Sequence, residues 1–459
     1  MPKIYPDYID VTIPVNIAPL CFQLMSDADE ALTRFTANGQ ELIVEGRKCR
    51  PDIDEWHTLL AHAVDSDITV EVFAAKCGQW ARFRPFLLHV SPDSIDSYLC
   101  YRLISPSYVS YEELTINQRC LQNFHERVIA DNMLCSNESG GQCINCHSFQ
   151  RNNPDRMQLH ARQTHAGTII AYDGKVENED FNSHSSTPSN YKPQYPAWHP
   201  TEKLIAYSTN STMQAFHTVH TDKIEVYDSQ SSLLLYDLDH HNVTPIEHIP
   251  NELETHPTWS PDGRFLYYCS ANFQYKADTV DLEEVTLRTQ ELKYNIWRRP
   301  FNAAHTFGPP QLVFRSDSLN MSAAQPRISP DGRWLLFSMS QYGTFHIWHS
   351  DADLWIMDLH APDQPRPLVQ VNSNSAESYH SWSSTGRWIV ISSRRNDGVF
   401  TRPFFAHVDA NGQATKPFEL PSQDPDLHRQ LLKSYNVPEF TRGPISLTPQ
   451  QIAAKLKAQ

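Results

Sequence analysis

Cys143-Ile144-Asn145-Cys146-His147 has the spacing C-x-x-C-H. Two thiols three residues apart, followed at once by an imidazole, are what covalent haem attachment requires. The sulfurs would form thioethers to the porphyrin vinyl groups, and His147 would become the proximal iron ligand. A sixth ligand is expected from Met157, His160 or His165, with His160 the first choice; Met ligation raises the potential and bis-imidazole ligation lowers it. The same residues admit other chemistry. Cys143, Cys146 and His147 with Cys135 or His160 would make a mixed-ligand zinc site. A structural disulfide is a further alternative, whereas a thioredoxin-type redox pair lacks its βαβ surroundings. The plainest alternative has Met157 in the core and the histidines on the surface.

The elements that would position these groups are legible nearby. Asn153 and Pro154 form an N-cap and first-turn pair, and Gly167 is a stop, so a short helix is predicted between them. On that helix Met157, His160, Thr164 and His165 share one face. Residues 116–166 are therefore expected to be a connector carrying the C-x-x-C-H segment. Before it, residues 1–115 alternate apolar and polar in short runs, such as Ile68-Thr-Val-Glu-Val-Phe73, separated by Pro, Gly and Asp. This pattern predicts an N-terminal β-sandwich of immunoglobulin-like type.

From residue 167 to 440 the chain repeats itself. The copies are Pro196-Ala-Trp198-His-Pro200, Pro257-Thr-Trp259-Ser-Pro-Asp-Gly263-Arg264, Pro326-Arg-Ile328-Ser-Pro-Asp-Gly332-Arg333 and His380-Ser-Trp382-Ser-Ser-Thr-Gly386-Arg387, each followed by an apolar strand. A strand, a turn in which Gly supplies positive φ, and a second strand make a hairpin. Two further strand candidates after each hairpin complete a four-stranded blade. The motif resembles TolB-like β-propeller repeats, which implies a WD40-like propeller of about five to six blades. The first copy departs from it, with His199-Pro-Thr-Glu202 in the turn. Gly167–Tyr172 with Lys175-Val-Glu177 looks like the outer half of one more blade.

Taken with the C-x-x-C-H segment, with Tyr101-Arg-Leu-Ile-Ser-Pro-Ser-Tyr108 and with the closing Lys433-Ser-Tyr-Asn-Val-Pro-Glu439, the chain resembles exported bacterial proteins sometimes labelled cytochrome c biosynthesis or TolB-like proteins. That resemblance implies a periplasmic or outer-membrane-associated protein whose leader is absent from the sequence, because Met1–Asp10 has no signal-peptide pattern.

Other constellations are weaker. The residues preceding the Pro slot, Tyr195, His256, Gln325 and Tyr379, should form a ring near one channel mouth, able to hydrogen-bond a peptide or sugar or merely to satisfy strand-start backbone groups. His217, His220, His240, His241, His248, His346 and His349 read as exposed loop histidines. Trp198, Trp259 and Trp382 read as inter-blade core, and Asp351/Asp353 and Asp424/Asp426 as turn residues rather than calcium ligands. Residues 441–459 start with Thr-Pro and have helical propensity, so a C-terminal helical tail is expected.

Composition narrows the functional classes. The chain has 459 residues, 53 acidic against 38 basic and a net charge of −15, which argues against a nucleic-acid or anionic-lipid partner. No apolar run is long enough for a transmembrane helix. No Gly-x-Ser-x-Gly, His-Glu-x-x-His or phosphate loop is present, so an enzyme is not indicated. The expectation is an exported propeller bearing haem c in electron transfer or redox-linked binding of an envelope protein. The alternative is a haem-free scaffold for a peptide, glycan or envelope protein, with zinc at the C-x-x-C-H segment.

Overall fold

A computed structural model describes residues 1–105, 113–135, 142–182, 192–218, 222–276, 279–362 and 365–458. The chain is mainly β. Five consecutive four-stranded antiparallel sheets follow one another along it. Sheet I runs Gln142–Phe149, Met157–Gln163, Gly167–Tyr172, Lys175–Glu179; sheet II Pro193–Trp198, Leu204–Phe216, Ile224–Asp237, Asn242–Pro245. Sheet III runs Glu252–Trp259, Phe265–Asn272, Asn295–Pro300, Gln311–Phe314, and sheet IV Ser322–Ile328, Trp334–Ser340, Asp353–Asp358, Arg366–Pro367. Sheet V runs Glu377–Trp382, Trp388–Ser393, Arg402–His407, Phe418–Glu419.

Sheet VI joins the two ends of this β-propeller. Its first strand is Ser434–Thr441, which pairs with Tyr98–Ile104, followed by Thr115–Cys120 and Glu126–Asp131. Residues 116–166 are thus no separate connector: they supply two strands to sheet VI and two to sheet I. The helix expected after Pro154 is a strand, Met157–Gln163, paired on both sides. Tertiary pairing overrides the local capping signal, and strand alternation replaces the shared helical face. Met157 lies in an apolar core with Leu159, Ala161 and Ile169, while His160 points the other way and Nδ1 bonds Thr168 Oγ1 at 2.9 Å.

The Ser-Pro-Asp-Gly turns form as their residues dictate. Gly263, Gly332 and Gly386 have φ of 73°, 79° and 69° and donate to Ser260, Ser329 and Ser383 carbonyls. In the divergent first copy His199 fills the serine position, its Nδ1 accepting the Thr201 and Glu202 amides at 3.4 and 3.0 Å. Its ring then reaches the next turn, where a Cβ on Gly263 would sit 2.3 Å from His199 Nε2. Two tryptophans of the motif wedge against the preceding sheet: Trp259 Nε1 donates to the Ala197 carbonyl and Trp382 Nε1 to the Arg327 carbonyl, both at 3.1 Å.

The N-terminal region contains a six-stranded sheet, a three-stranded sheet and a helix, Ile53–His62, that the alternation pattern did not predict. Asp52 caps that helix through the Asp54 and Glu55 amides, and Trp56 packs edge-on to Phe35. Its core is continuous with Trp388, Val390, Phe405 and Phe418 of sheet V. The C-terminal helix Pro449–Lys457 opens with a capping box at Thr448 and buries Ile452 and Leu456 against the core of sheets I and VI. No helix among the described residues is long and apolar enough to cross a membrane.

Candidate functional site

The six first strands share one irregularity. Each carries a bulge, marked by register shifts at Asn145/Ser148, Gln194/Ala197, Thr255/Thr258, Ala324/Arg327 and Ser378/Ser381, with the matching break between Asn436 and Glu439 in sheet VI. At each bulge one residue has positive φ: Cys146 58°, Tyr195 49°, His256 52°, Gln325 55°, Tyr379 45° and Val437 48°. An extra residue in a strand bends it and re-aims its side chains. All six residues line a single cavity of about 350 Å³. Three residues further on, Phe149, Trp198, Trp259, Ile328, Trp382 and Phe440 line a second cavity of about 580 Å³. Pro196, Arg327 and Glu439 border both, and mark the level where the two meet.

The ring expected from the repeats therefore exists, with two further members. Cys146 belongs to it because Cys146-His147-Ser148-Phe149 is a repeat copy, in register with Tyr379-His380-Ser381-Trp382. His147 occupies the slot filled elsewhere by Pro196, Pro257, Pro326, His380 and Pro438. The match between those two tetrapeptides is the sequence signal for this position. Val437-Pro438-Glu439-Phe440 is a copy in the same sense.

Hydrogen bonds link three neighbouring pairs of the ring. The Gln325 amide donates to His256 Nδ1 at 3.3 Å, and the Tyr379 amide to Gln325 Oε1 at 2.8 Å. The Tyr195 amide bonds the Cys146 sulfur in the same way. Tyr195 stacks edge-on against His256, with ring centroids 4.3 Å apart. Bulged amides have no ladder partner, and these side chains supply one.

The C-x-x-C-H groups lie on one wall of the 350 Å³ cavity. Asn145 sits between the thiols, its Nδ2 donating to Cys143 Sγ at 3.1 Å and its Oδ1 accepting from Cys146 Sγ at 2.6 Å. Burial raises the Cys146 pKa, opposed by the Arg162 and Arg102 guanidiniums. His147 is held to about 3 by burial and by Arg102, against the backbone groups of Val437 and Cys100. His380 is likewise held to about 3 by burial and Arg327. Burial thus favours the neutral form of both histidines at pH 7, and His380 Nε2 lies 3.2 Å from the Leu336 carbonyl.

Several expected partners lie elsewhere. Met157, His160 and His165 do not line the cavity that holds His147. Both His147 ring nitrogens are buried without a hydrogen-bond partner of ordinary geometry. Cys135 packs against the C-terminal helix, its Sγ 3.8 Å from the Ala453 carbonyl, so the alternative zinc set with Cys143, Cys146 and His147 is not assembled. Among the described residues, one group of three or more His, Cys, Asp or Glu has ligand atoms within 4.8 Å of one another: Glu177, Glu179 and His241, at the outer edge of sheets I and II.

Of the histidines read as exposed, His346 and His349 are buried, bonded to Ser338 and Ser340 at 2.9 Å, with His349 Nε2 3.2 Å from Glu225. His240 is exposed beside Asp237, and His248 pairs with buried Glu254. His220 lies outside the described residues. Asp424 and Asp426 pair with Lys48, as surface turn residues can.

Sequence reasoning missed the charged members of the cavity. Arg102 and Arg162 come from second strands, Arg327 and Glu439 from the position after the Pro slot. Burial raises Glu439 to about 7, although Arg327 and a Phe149 backbone hydrogen bond favour its ionised form.

No family model matches this chain, and no curated protein matches it. The solved structures it is similar to include a putative TolB from Agrobacterium tumefaciens, at 13% identity and TM-score 0.40, covering 76% of this chain and 99% of that one. A hypothetical selenium-binding protein from Sulfolobus tokodaii aligns at 9% identity and TM-score 0.45, over 77% of this chain and 96% of that one. A Synechocystis ACO mutant aligns at 12% identity and TM-score 0.41, over 93% and 94% respectively.

Proposed function

We propose that the protein is a six-bladed propeller, closed by Ser434–Thr441, that acts as a binding scaffold through the mouth ringed by Cys146, Tyr195, His256, Gln325, Tyr379 and Val437. The observation that carries this is the convergence of six equivalent bulged positions on one cavity of about 350 Å³. A concave site with a few convergent polar groups is the usual form of a ligand site. Tyr195 and Tyr379 offer aromatic area with a polar tip, suited to a peptide or glycan of the cell envelope. A peptide and glycan array probed with the protein tests the proposal. Retention of specific ligands that Tyr379→Ala loses by tenfold or more supports it; ligands retained equally by that variant would place binding elsewhere.

A second reading keeps covalent haem and electron transfer in an exported protein. It is favoured by Cys143, Cys146 and His147 sharing one cavity wall. Cys143 and Cys146 would hold the porphyrin and His147 the iron, which would supply one-electron chemistry. Against it stand the sealed His147 nitrogens, the Asn145 bridge between the sulfurs, and the absence of Met157, His160 and His165 from that cavity. The test is an intact mass and visible spectrum of protein exported to the periplasm of a host with haem-attachment machinery. One added haem and a Soret band would replace the scaffold reading with a cytochrome; no haem beside a loaded control cytochrome would remove it.

A further inference from the structure

The chain as a whole is acidic, with net charge −15, yet the cavity at the ringed mouth is not. Among the described residues, its charged lining is Arg102, Arg162, Arg327 and Glu439. Among the described residues, Arg162 and Arg327 meet one carboxyl group there, that of Glu439. Arg162 Nε is buried with no hydrogen-bond partner. Glu439 is the carboxylate whose charge acts on Arg327, and burial raises Glu439 itself to about 7. The imidazoles of His147, His256 and His380 add no compensating negative charge, and their burial keeps them uncharged.

Removing cations from water is costly unless an opposite charge meets them. Arg162 Nε is such a group in this concave site, and it suits a partner that brings the opposite charge. Guanidinium is also the group whose planar fork matches a carboxylate by paired hydrogen bonds. Around the cations the wall is made of neutral donors and acceptors: Asn145, Gln163, Gln194, Thr212, Gln214 and Gln325. Such a lining can hold the remainder of a polar ligand without adding charge. The long hairpin of sheet II, Leu204–Phe216 with Ile224–Asp237, contributes Thr212, Gln214 and Val226 to the same rim, so the ligand would be walled on the side of sheet II as well.

We infer that the ringed mouth binds a carboxylate-bearing ligand, with Arg162 and Arg327 meeting the acid group. The inference rests on the channel being a binding site, and it adds the charge of what binds. A small organic polyacid and an acidic peptide share the chemistry, and the two are separated by the test.

Cys143 lines the cavity and reports its occupancy. The rate at which a maleimide modifies Cys143, read by peptide mass mapping against exposed Cys77 as internal control, is measured with citrate, pentaglutamate or pentaglutamine added. Saturable slowing at Cys143 by citrate or pentaglutamate, absent with pentaglutamine and weakened by added salt, is expected. Slowing by citrate alone assigns a small acid, and slowing by pentaglutamate assigns an acidic chain. Arg162→Gln and Arg327→Gln should each weaken the effect about tenfold, the order of one lost charge-assisted hydrogen bond. Glu439→Gln should strengthen it by removing the opposing charge. Melting curves of the three variants check that each is folded, and the salt dependence in the parent protein stands without them. Protection by pentaglutamine equal to that by pentaglutamate would overturn the charge assignment while the channel reading survives. No protection by any probe would overturn the inference, and the array result for Tyr379→Ala then decides the channel reading separately.

Discussion

The strands Gln142–Phe149 and Glu377–Trp382 hold the same place in sheets I and V, and only one of them looks like chemistry. In the first, Cys146-His147-Ser148-Phe149 follows Cys143; in the second, Tyr379-His380-Ser381-Trp382 follows an unremarkable Glu377-Ser378. Both place a positive-φ residue in the ring, and both bury a neutral histidine in the slot that prolines fill elsewhere. The difference teaches that a short motif can be assembled from repeat positions. Within C-x-x-C-H, the second cysteine and the histidine answer to the bulge, and Cys143 alone has no counterpart in that register.

Removing Ser434–Ala458 should have the largest effect on this equivalence, because it takes away the first strand of sheet VI and the helix that covers sheets I and VI. Loss of a cooperative melt by circular dichroism is expected. A melt like that of the full chain would mean that the ring does not depend on closure.

The two histidines should next behave alike in acid. Their unfolded pKa is near 6.5 and their folded value about 3, so the stability they contribute is present above pH 6.5 and is lost as pH falls from there towards 3. Each accounts for up to about 5 kcal/mol of that acid limb. His147→Pro and His380→Pro should each leave a folded protein at pH 7, at a cost of about 1–3 kcal/mol for lost packing, with a shallower fall in Tm below pH 6. Unfolding of His147→Pro alone would break the comparison.

Glu439, two positions past the Val437 bulge, should give the opposite slope. Its folded pKa is raised from 4.5 to about 7, so its stability contribution is full below pH 4.5 and is lost as pH rises through 7. Glu439→Gln should flatten Tm against pH between 5 and 8, by about 1–3 kcal/mol.

The smallest effects separate the two thiols. Cys146→Ala removes the acceptor of the Tyr195 amide and should cost about 1–2 kcal/mol, whereas Cys143→Ala should stay within about 0.5 kcal/mol. The double variant should remain folded in chemical denaturation. Equal costs would sharpen the case for the pair acting together.

Much of this was legible in particular residues. The Ser-Pro-Asp-Gly turns, the tryptophan wedges and the ring of Tyr195, His256, Gln325 and Tyr379 follow from a local pattern recurring with its turn chemistry intact. The helix after Pro154 failed because Asn-Pro and Gly167 are cues for either a helix or a strand hairpin, and flanking strands on both sides decided between them. The helix Ile53–His62 was hidden inside an alternating region for the opposite reason: its Asp52 cap and Trp56 anchor were there, but only packing on Phe35 showed which face was buried.

What the sequence by itself determined is therefore the repeating hairpin, its turn and four of the six ring residues, because those depend on neighbours a few positions away. What only the tertiary structure decided is which residues meet across the channel. Arg102 and Arg162 reach the cavity from second strands, Glu439 from a strand more than 300 residues from its sheet partner, and Cys135 leaves the C-x-x-C-H group for the C-terminal helix. Ring closure brings these groups together or apart, and their charge and burial, hence their chemistry, are set by that meeting rather than by spacing along the chain.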